Sequence, residues 1–208
     1  MGHLHIAPIV EGHGEFYCIR LLLERICREL LDGAYIEVLK PIRRHRTQLV
    51  RREEIARAVS LASQKLADAC AIDDRGLVLL LIDADEDPPC ILGPELLKHA
   101  QAVDLRTDVA CVLANVEYET WFVAAAESLA EYLDLSRDQM IPDNPEAERH
   151  AKGWIERRFK GGTKYVETQD QPSMTAAFDL SLCRRRSPSF DKLCRELAAR
   201  IMPHHEAG

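Results

Sequence analysis

The run of apolar residues from Leu77 to Ile82, followed at once by Asp83 and Asp85, constrains this chain more than any other feature. A strand that is exposed on one face alternates apolar and polar residues, and this run does not alternate. Continuous apolar strands are typical of the centre of a parallel sheet that helices cover on both faces. The sequence therefore predicts a buried central strand that ends in acidic residues.

Further strand patterns alternate with amphipathic helices along the chain. The strand candidates are residues 5–10, 36–42 and 109–116, and the helix candidates are residues 16–31, 53–70, 94–103 and 121–133. Such alternation predicts a parallel sheet with right-handed crossovers. We expect an α/β fold with a mostly parallel four-stranded sheet flanked by helices. The core would span residues 1–133, and residues 134–208 would form a mainly helical extension packed on it.

Composition excludes some classes of protein. The 208 residues carry a formal net charge of -7, which argues against coating nucleic acid through overall charge, although local basic patches are present. The seven cysteines show no CxxC pair and are expected to be reduced thiols, mostly in the core. With no export signal, and no apolar run near the roughly 20 residues that span a bilayer, a cytoplasmic protein without a membrane segment is expected.

Acidic residues follow three of the predicted strands: Glu11 and Glu15 in IVEGHGE, Asp83 and Asp85 in LVLLLIDADED, and Glu119 in ANVEYETWF. The carboxyl ends of parallel strands meet at one edge of a sheet, where ligands bind. Clustered carboxylates need protons, basic side chains or a cation, and none of these segments contains Lys or Arg. The pattern predicts a site for Mg²⁺ or Mn²⁺, which prefer hard oxygen ligands.

Each acid also has a simpler explanation. Glu15 and Glu119 would each begin a helix, where a negative charge is favourable, and Asp83 and Asp85 belong to an acidic loop that precedes Pro88. Gly12-His13-Gly14 does not match a phosphate-binding loop, because Glu11 and Glu15 would repel the anion.

The order of features in this chain resembles the TOPRIM domain of topoisomerases, primases and OLD-type nucleases. That order is a strand, then Glu-Gly-x-Gly-Glu, then a helix, and then a strand that ends in Asp-x-Asp. The chain is more closely similar to a TOPRIM-like family of bacterial proteins. That similarity rests on VEGHGE, LIDADED, Glu119-Thr-Trp-Phe122, Lys164-Tyr165, Asp170-Gln-Pro172 and Ser187-Pro-Ser-Phe190. It covers most of the chain.

This resemblance implies Mg²⁺-dependent phosphodiester chemistry with one or two ions, which Mn²⁺ could replace. Glu11 would act as acid/base or metal ligand, Asp83 and Asp85 would be ligands, and Glu15 and Glu119 would complete a second site. Two ions would activate water and stabilise the leaving oxygen. Because related nucleases carry this module fused to other domains, a separately encoded ATPase is an expected partner.

A nuclease also needs cations that hold the phosphates of nucleic acid. Arg43, Arg44 and Arg46 follow the second predicted strand and should emerge at the same sheet edge as the acids. Lys164, in the glycine-bearing loop, is a candidate for transition-state stabilisation or else an exposed loop residue. Arg186 would bind substrate or lie on the surface at a helix end.

Two other functions remain open at this stage. One is a Mg²⁺-dependent phosphohydrolase that acts on a small phosphoester. The other is a non-catalytic module in which the acids bind a structural ion. An aspartyl-phosphate enzyme would use the first Asp of Asp-x-Asp as nucleophile, but that pair normally opens the chain, and here it lies on the third strand.

Overall fold

A computed structural model describes residues 3–103, 107–136, 141–160 and 164–201. The strands of its sheet are β1 (Leu4–Val10), β2 (Ile36–Val38), β3 (Ile42–Arg43), β4 (Arg75–Asp83) and β5 (Asp108–Ala114). The sheet has the order β2-β1-β4-β5, and the short β3 also pairs with β1. Every ladder of this sheet is parallel. The α/β class and the parallel sheet flanked by helices are confirmed.

The sheet has five strands rather than the four predicted, because the segment at 36–42 is divided. Pro41 has no N–H to give to a ladder, so pairing stops before it and resumes after it. Leu39 donates its backbone N–H to the Ile6 carbonyl at 2.8 Å, and Arg44 donates to the Val10 carbonyl at 2.9 Å. The β3 segment therefore lies beside the end of β1, next to Glu11.

Helices cover both faces of the sheet. The described helices are α1 (His13–Leu30), α2 (Arg46–Leu49), α3 (Arg52–Ala69), α4 (Pro89–Gln101), α5 (Glu119–Ala124), α6 (Ala151–Glu156), α7 (Glu167–Ala177), α8 (Leu180–Arg186) and α9 (Pro188–Ile201). Residues of α3 and α4 pack on one face of the sheet. The other face packs against α1 and helices α5 to α9, in a core that includes Trp121, Phe178 and Phe190. Trp121 and Phe122 are fully buried, as expected of core residues.

The long helix predicted at 121–133 is shorter in the structure. After α5 the chain forms a 3-10 helix, Ala126–Leu129. It then pairs with a distant segment: Lys160 donates its backbone N–H to the Tyr132 carbonyl at 2.9 Å, and Asp134 donates to the Arg158 carbonyl at 2.8 Å. The Tyr132 carbonyl and the Asp134 N–H therefore bond to this distant segment and not to residues one helical turn away.

The serine that caps the last helix is Ser187, which directly precedes α9. Ser187 Oγ accepts the backbone N–H of Phe190 at 3.2 Å, which is the bond of an N-cap residue. Ser189 Oγ instead accepts the indole N–H of Trp121 at 2.9 Å. The Ser-Pro-Ser-Phe motif therefore joins α9 to α5.

All seven cysteines are unpaired, and five of them are buried. Cys90 is the exposed exception to the predicted core placement. Nowhere in the described ranges is there a helix with the length and apolar character needed to cross a membrane.

Candidate functional site

Strands β1 and β4 are neighbours, and this adjacency brings the first two acidic segments together. Val10 pairs with Leu81 across the ladder. Glu11 follows Val10 directly, and Asp83 is the last residue of β4. The backbone N–H of Asp83 also donates a hydrogen bond to the Glu11 carboxylate, which lowers the pKa of Glu11. The strand adjacency on which the predicted proximity of Glu11 and Asp83 depended is therefore present.

Asp83 lies at the electrostatic centre of the cluster. Its pKa is raised well above the usual value, first by burial and then by the charges of Glu15, Glu119, Glu11 and Glu117. Strand β5 lies on its other side, where Asp83 pairs with Ala114. The acids from all three strand ends therefore act on one residue.

Glu11 is partly buried, and the charges of neighbouring residues act on its carboxylate as well. Burial raises its pKa to about 7, and the charges of Asp85 and Glu15 add to the rise, while Arg46 opposes it. Its Oε2 atom is buried and has no hydrogen-bond partner. A buried carboxylate oxygen without a partner is unfavourable unless a proton or a cation reaches it.

Glu15 stands in the first turn of α1, whose N-cap is Gly12. Burial raises its pKa, and hydrogen bonds from backbone N–H groups of Glu15 and Gly12 and from the Gln171 side chain oppose the rise. The bond to the Gly12 N–H is half of a capping box, so the helix-start explanation of Glu15 holds in part. Its Oε2 atom is nevertheless buried and unpartnered.

Two glycines leave room for these groups. A Cβ at Gly12 would lie 2.1 Å from Glu15 Oε2, and a Cβ at Gly14 would lie 1.5 Å from Gln171 Oε1. Gly12 has a φ of -90°, which any residue adopts. Space for the Glu15 carboxylate, rather than backbone freedom, therefore requires glycine at position 12.

Glu119 and Glu117 come from the segment after β5. Glu119 is 4% exposed, and Tyr165 donates its hydroxyl hydrogen to Glu119 Oε1 at 2.9 Å. Burial raises the pKa of Glu119 to about 7, and the charge of Glu117 adds to the rise. Glu117 was not among the acids chosen from the sequence. It accepts the Lys152 backbone N–H at 2.7 Å, and burial raises its pKa.

The turns that carry the acids are strained. Asp85 has a φ of 49°, and Val116, directly before Glu117, has a φ of 64°. Positive φ is a genuine outlier for a β-branched residue, since its Cβ crowds the backbone. The turn at Val116 changes the direction of the chain after β5. A motif based on Glu119 alone does not reveal this turn.

Arg46 supplies a positive charge that the three acidic segments lack. Its Nη1 atom lies 3.0 Å from Asp85 Oδ2, its Nη2 donates to the Ala84 carbonyl at 2.9 Å, and Nη2 also pairs with Asp87. The absence of Lys and Arg within the segments therefore did not exclude an arginine contributed by the β3–α2 region. Asp85 has its own arginine in this structure.

The other predicted basic residues differ in their surroundings. Among the described residues, Arg43 and Arg44 make no ion pair with a carboxylate; Arg43 Nη1 lies 3.3 Å from His45 Nε2, and Arg44 Nη1 donates to the Arg43 carbonyl. Lys164 is exposed and directly precedes Tyr165, the partner of Glu119. Arg186 Nη1 instead donates hydrogen bonds to both carboxylate oxygens of Glu127. The structure thus places Arg43 beside the end of β1, and it engages Arg186 elsewhere.

Lys152 is a cation near the cluster that the sequence analysis missed. Its charge lowers the pKa of Glu15 and of Glu117. Its ammonium group pairs with Glu167. No motif marked Lys152, because the contact depends on α6 packing beside the segment after β5.

The carboxylates do not form a ready-made coordination shell. Within the described part of the chain, no three His, Cys, Asp or Glu side chains are arranged to hold one metal ion. Several of the acids instead turn to separate donors, as Asp85 does to Arg46 and Glu119 to Tyr165. The unpartnered Oε2 atoms of Glu11 and Glu15 are the oxygens whose chemistry fits a hard divalent cation.

Comparisons with known proteins give one match. A search of curated proteins and a search of solved structures each found none. A family model, described as a domain of unknown function (DUF4276), matches residues 10–198. That range runs from the end of β1 to α9 and includes every acid of the cluster. The chain belongs to the DUF4276 family.

Proposed function

We propose that this protein is a TOPRIM-like, Mg²⁺- or Mn²⁺-dependent nuclease that cleaves phosphodiester bonds of nucleic acid. The observation that supports the proposal is the convergence of acids from three strand ends on Asp83, where each raises the pKa of that side chain. Among the described residues the acids of this cluster outnumber the cations beside them, because Arg46 contacts only Asp85 of the proposed ligands and the Lys152 ammonium group pairs with Glu167. Divalent cations supply that balance and are the usual cofactors of phosphodiester hydrolysis.

The metal ligands in this proposal are Glu11 and Asp83, with Asp85 joining once it leaves Arg46 and with Glu15 and Glu119 completing a second position. Bound there, one or two divalent ions would polarise the phosphate and lower the pKa of a water nucleophile. Glu11, whose pKa is about 7, can take up or release a proton at neutral pH. Tyr165 donates its hydroxyl hydrogen to Glu119 Oε1 and so holds this carboxylate in place.

Substrate binding is assigned to basic residues at the same sheet edge. Arg43 and Arg44 lie beside the end of β1 and carry no carboxylate partner among the described residues. Unpaired arginines beside an acidic site suit the phosphates of a nucleic acid backbone. Lys164 would stabilise charge that develops on the phosphate. A separately encoded ATPase remains the proposed partner, in the cytoplasm.

Cleavage of supercoiled plasmid tests this proposal. We expect nicking by the wild-type protein with Mg²⁺ or Mn²⁺, no nicking with EDTA, and at least about a hundredfold loss in Asp83→Ala. Asp68→Ala, which removes an exposed acid of α3, is the matched control and should nick like wild type. A labelled RNA assayed in parallel identifies the preferred nucleic acid.

Three results would contradict the nuclease function. One is equal nicking by wild type and Asp83→Ala, which would indicate a contaminating nuclease. Another is metal-dependent turnover of a simple aryl phosphate with no cleavage of DNA or RNA, which would favour the small-phosphoester enzyme. The third is Mn²⁺ binding without either activity, which would indicate a non-catalytic module.

A further inference from the structure

We infer that Arg46 is an internal counter-ion that a divalent cation must displace from Asp85, so that the Arg46–Asp85 contact holds the site in a closed state. This inference rests on the proposed metal site. It adds a competition within the chain that the proposed function does not include. Its basis is the position of one guanidinium between the acidic loop after β4 and the cluster.

The contacts of Arg46 converge on a single loop. The guanidinium reaches Asp85 at 3.0 Å and the Ala84 carbonyl at 2.9 Å, and it also pairs with Asp87. Ala84 is fully buried, and Asp85 has a positive φ. The arginine therefore fixes both the backbone and the side chains of the loop that follows Asp83.

Arg46 and a metal ion would compete for the same carboxylate. The charge of Asp85 raises the pKa of Glu11, and the charge of Arg46 lowers it. A cation placed between Glu11 and Asp85 would meet a like charge at Arg46, so both cannot hold Asp85 closely. Sequence reasoning gave Asp85 to the metal and Arg46 to nucleic acid. The structure shows these two residues bound to each other, so both assignments require that they separate.

The exposed partner of this pair is Asp85. Its side chain is 52% exposed, so water and a metal ion can reach it and water screens part of the attraction, whereas the Arg46 side chain is 18% exposed. Once released, Arg46 lies at the start of α2, two residues after Arg44 on the chain, where it can join Arg43 and Arg44 in contacting phosphate. One movement would thus open the metal position and add a cation to the substrate surface.

Mn²⁺ titration of the metal-free, full-length protein, followed by electron paramagnetic resonance, tests the inference. Arg46→Gln should bind Mn²⁺ about fivefold more tightly than wild type, because a half-exposed ion pair no longer competes. Arg52→Gln removes the same charge from an exposed position at the start of α3, and it should stay within about twofold of wild type. Circular dichroism confirms that each variant is folded.

Arg46→Lys provides a second variant in case Arg46→Gln does not fold. Its single ammonium group cannot contact Asp85, Asp87 and the Ala84 carbonyl together, so Mn²⁺ binding should again tighten. Unchanged or weaker binding in the folded Arg46 variant would overturn the inference, as would equal tightening in Arg52→Gln. So would a lack of Mn²⁺ binding in all the proteins.

Failure of the counter-ion role and failure of the nuclease function are distinguishable. Tighter Mn²⁺ binding in Arg46→Gln, together with no cleavage of DNA or RNA by wild type, supports the counter-ion and contradicts the nuclease. Metal-dependent nicking by wild type, together with unchanged Mn²⁺ affinity in Arg46→Gln, supports the nuclease and contradicts the counter-ion.

Discussion

Asp85 donates its backbone N–H to the carbonyl oxygen of Val116 at 2.8 Å, and both residues have positive φ. The bond joins the loop after β4 to the loop after β5, each of which carries acids of the cluster. Non-glycine residues with positive φ persist where the surrounding structure holds them, and they concentrate at functional sites. This connection fixes Glu117 and Glu119 relative to Asp83.

Replacing Val116 should relieve part of this strain. Asn tolerates the left-handed conformation, so Val116→Asn should raise the free energy of unfolding by about 1 kcal/mol. Val50→Asn is the control, since Val50 has a φ of -72° and stands to gain nothing from Asn. Urea denaturation measures both. If the two substitutions lower the free energy of unfolding by the same amount, the turn at Val116 is not strained.

Gly12→Ala should displace Glu15 without removing its charge. The new Cβ would lie 2.1 Å from Glu15 Oε2, so the carboxylate must move. We expect a fall in Mn²⁺ affinity of about tenfold or more with the fold retained, because the backbone at Gly12 suits alanine. Isothermal titration calorimetry gives the affinity.

Gly93→Ala is the matched control for Gly12→Ala. A Cβ at this α4 position would make an ordinary contact at 3.4 Å with Leu113. Alanine is also the better helix former there. Gly93→Ala should therefore bind Mn²⁺ like wild type. An equal loss of affinity in the two variants would indicate general disruption rather than displacement of Glu15.

The metal-free protein should become less stable as pH rises from about 4.5 to about 7. Glu11 and Glu119 have pKa values raised from 4.5 to about 7, so the folded state holds their protons more tightly than the unfolded state does. The stability they contribute is fully present below the unfolded pKa and is lost as pH rises through the folded pKa. For the buried Glu119 the loss is on the order of 3 kcal/mol.

Thermal melts of the metal-free protein at pH 5, 6, 7 and 8 check this dependence. Saturating Mg²⁺ or Mn²⁺ should flatten it, since a bound cation replaces the protons. A melting temperature that rises steadily across this range would contradict the raised pKa values.

Asp83→Asn should separate stability from metal binding. Because four carboxylates act on Asp83, a neutral amide of the same shape should stabilise the metal-free protein at pH 8 by about 1 kcal/mol. Mn²⁺ binding should be lost. Asp68→Asn, at an exposed position of α3, should change neither property. A less stable Asp83→Asn protein would mean that the Asp83 charge is already balanced within the fold.

Much of the fold could be predicted from the sequence. The apolar run at Leu77–Ile82 indicated a central parallel strand, and β4 does lie between β1 and β5. Positions that directly follow strands were also predictable, because parallel strands end at one edge. The shared edge followed from this rule, whereas the position of β4 beside β1 depends on strand order, which the rule does not determine.

What escaped prediction depends on contacts between distant segments. Arg46 reaches Asp85 from another loop, and Lys152 reaches Glu117 from α6. Glu117 was passed over in favour of Glu119, because the positive φ of Val116 that turns the chain has no sequence signal at valine. The division of the second strand, by contrast, was marked by Pro41, whose missing N–H stops the ladder.

In the proposed site a divalent cation balances the acids at the ends of β1 and β4. A crystal grown with Mn²⁺, with data collected above and below the manganese absorption edge, tests this site most directly. We expect an anomalous peak between the carboxylates of Glu11 and Asp83, weaker in Asp85→Asn crystals of the same folded protein. The absence of a peak at that position at saturating Mn²⁺ would contradict the proposed metal site.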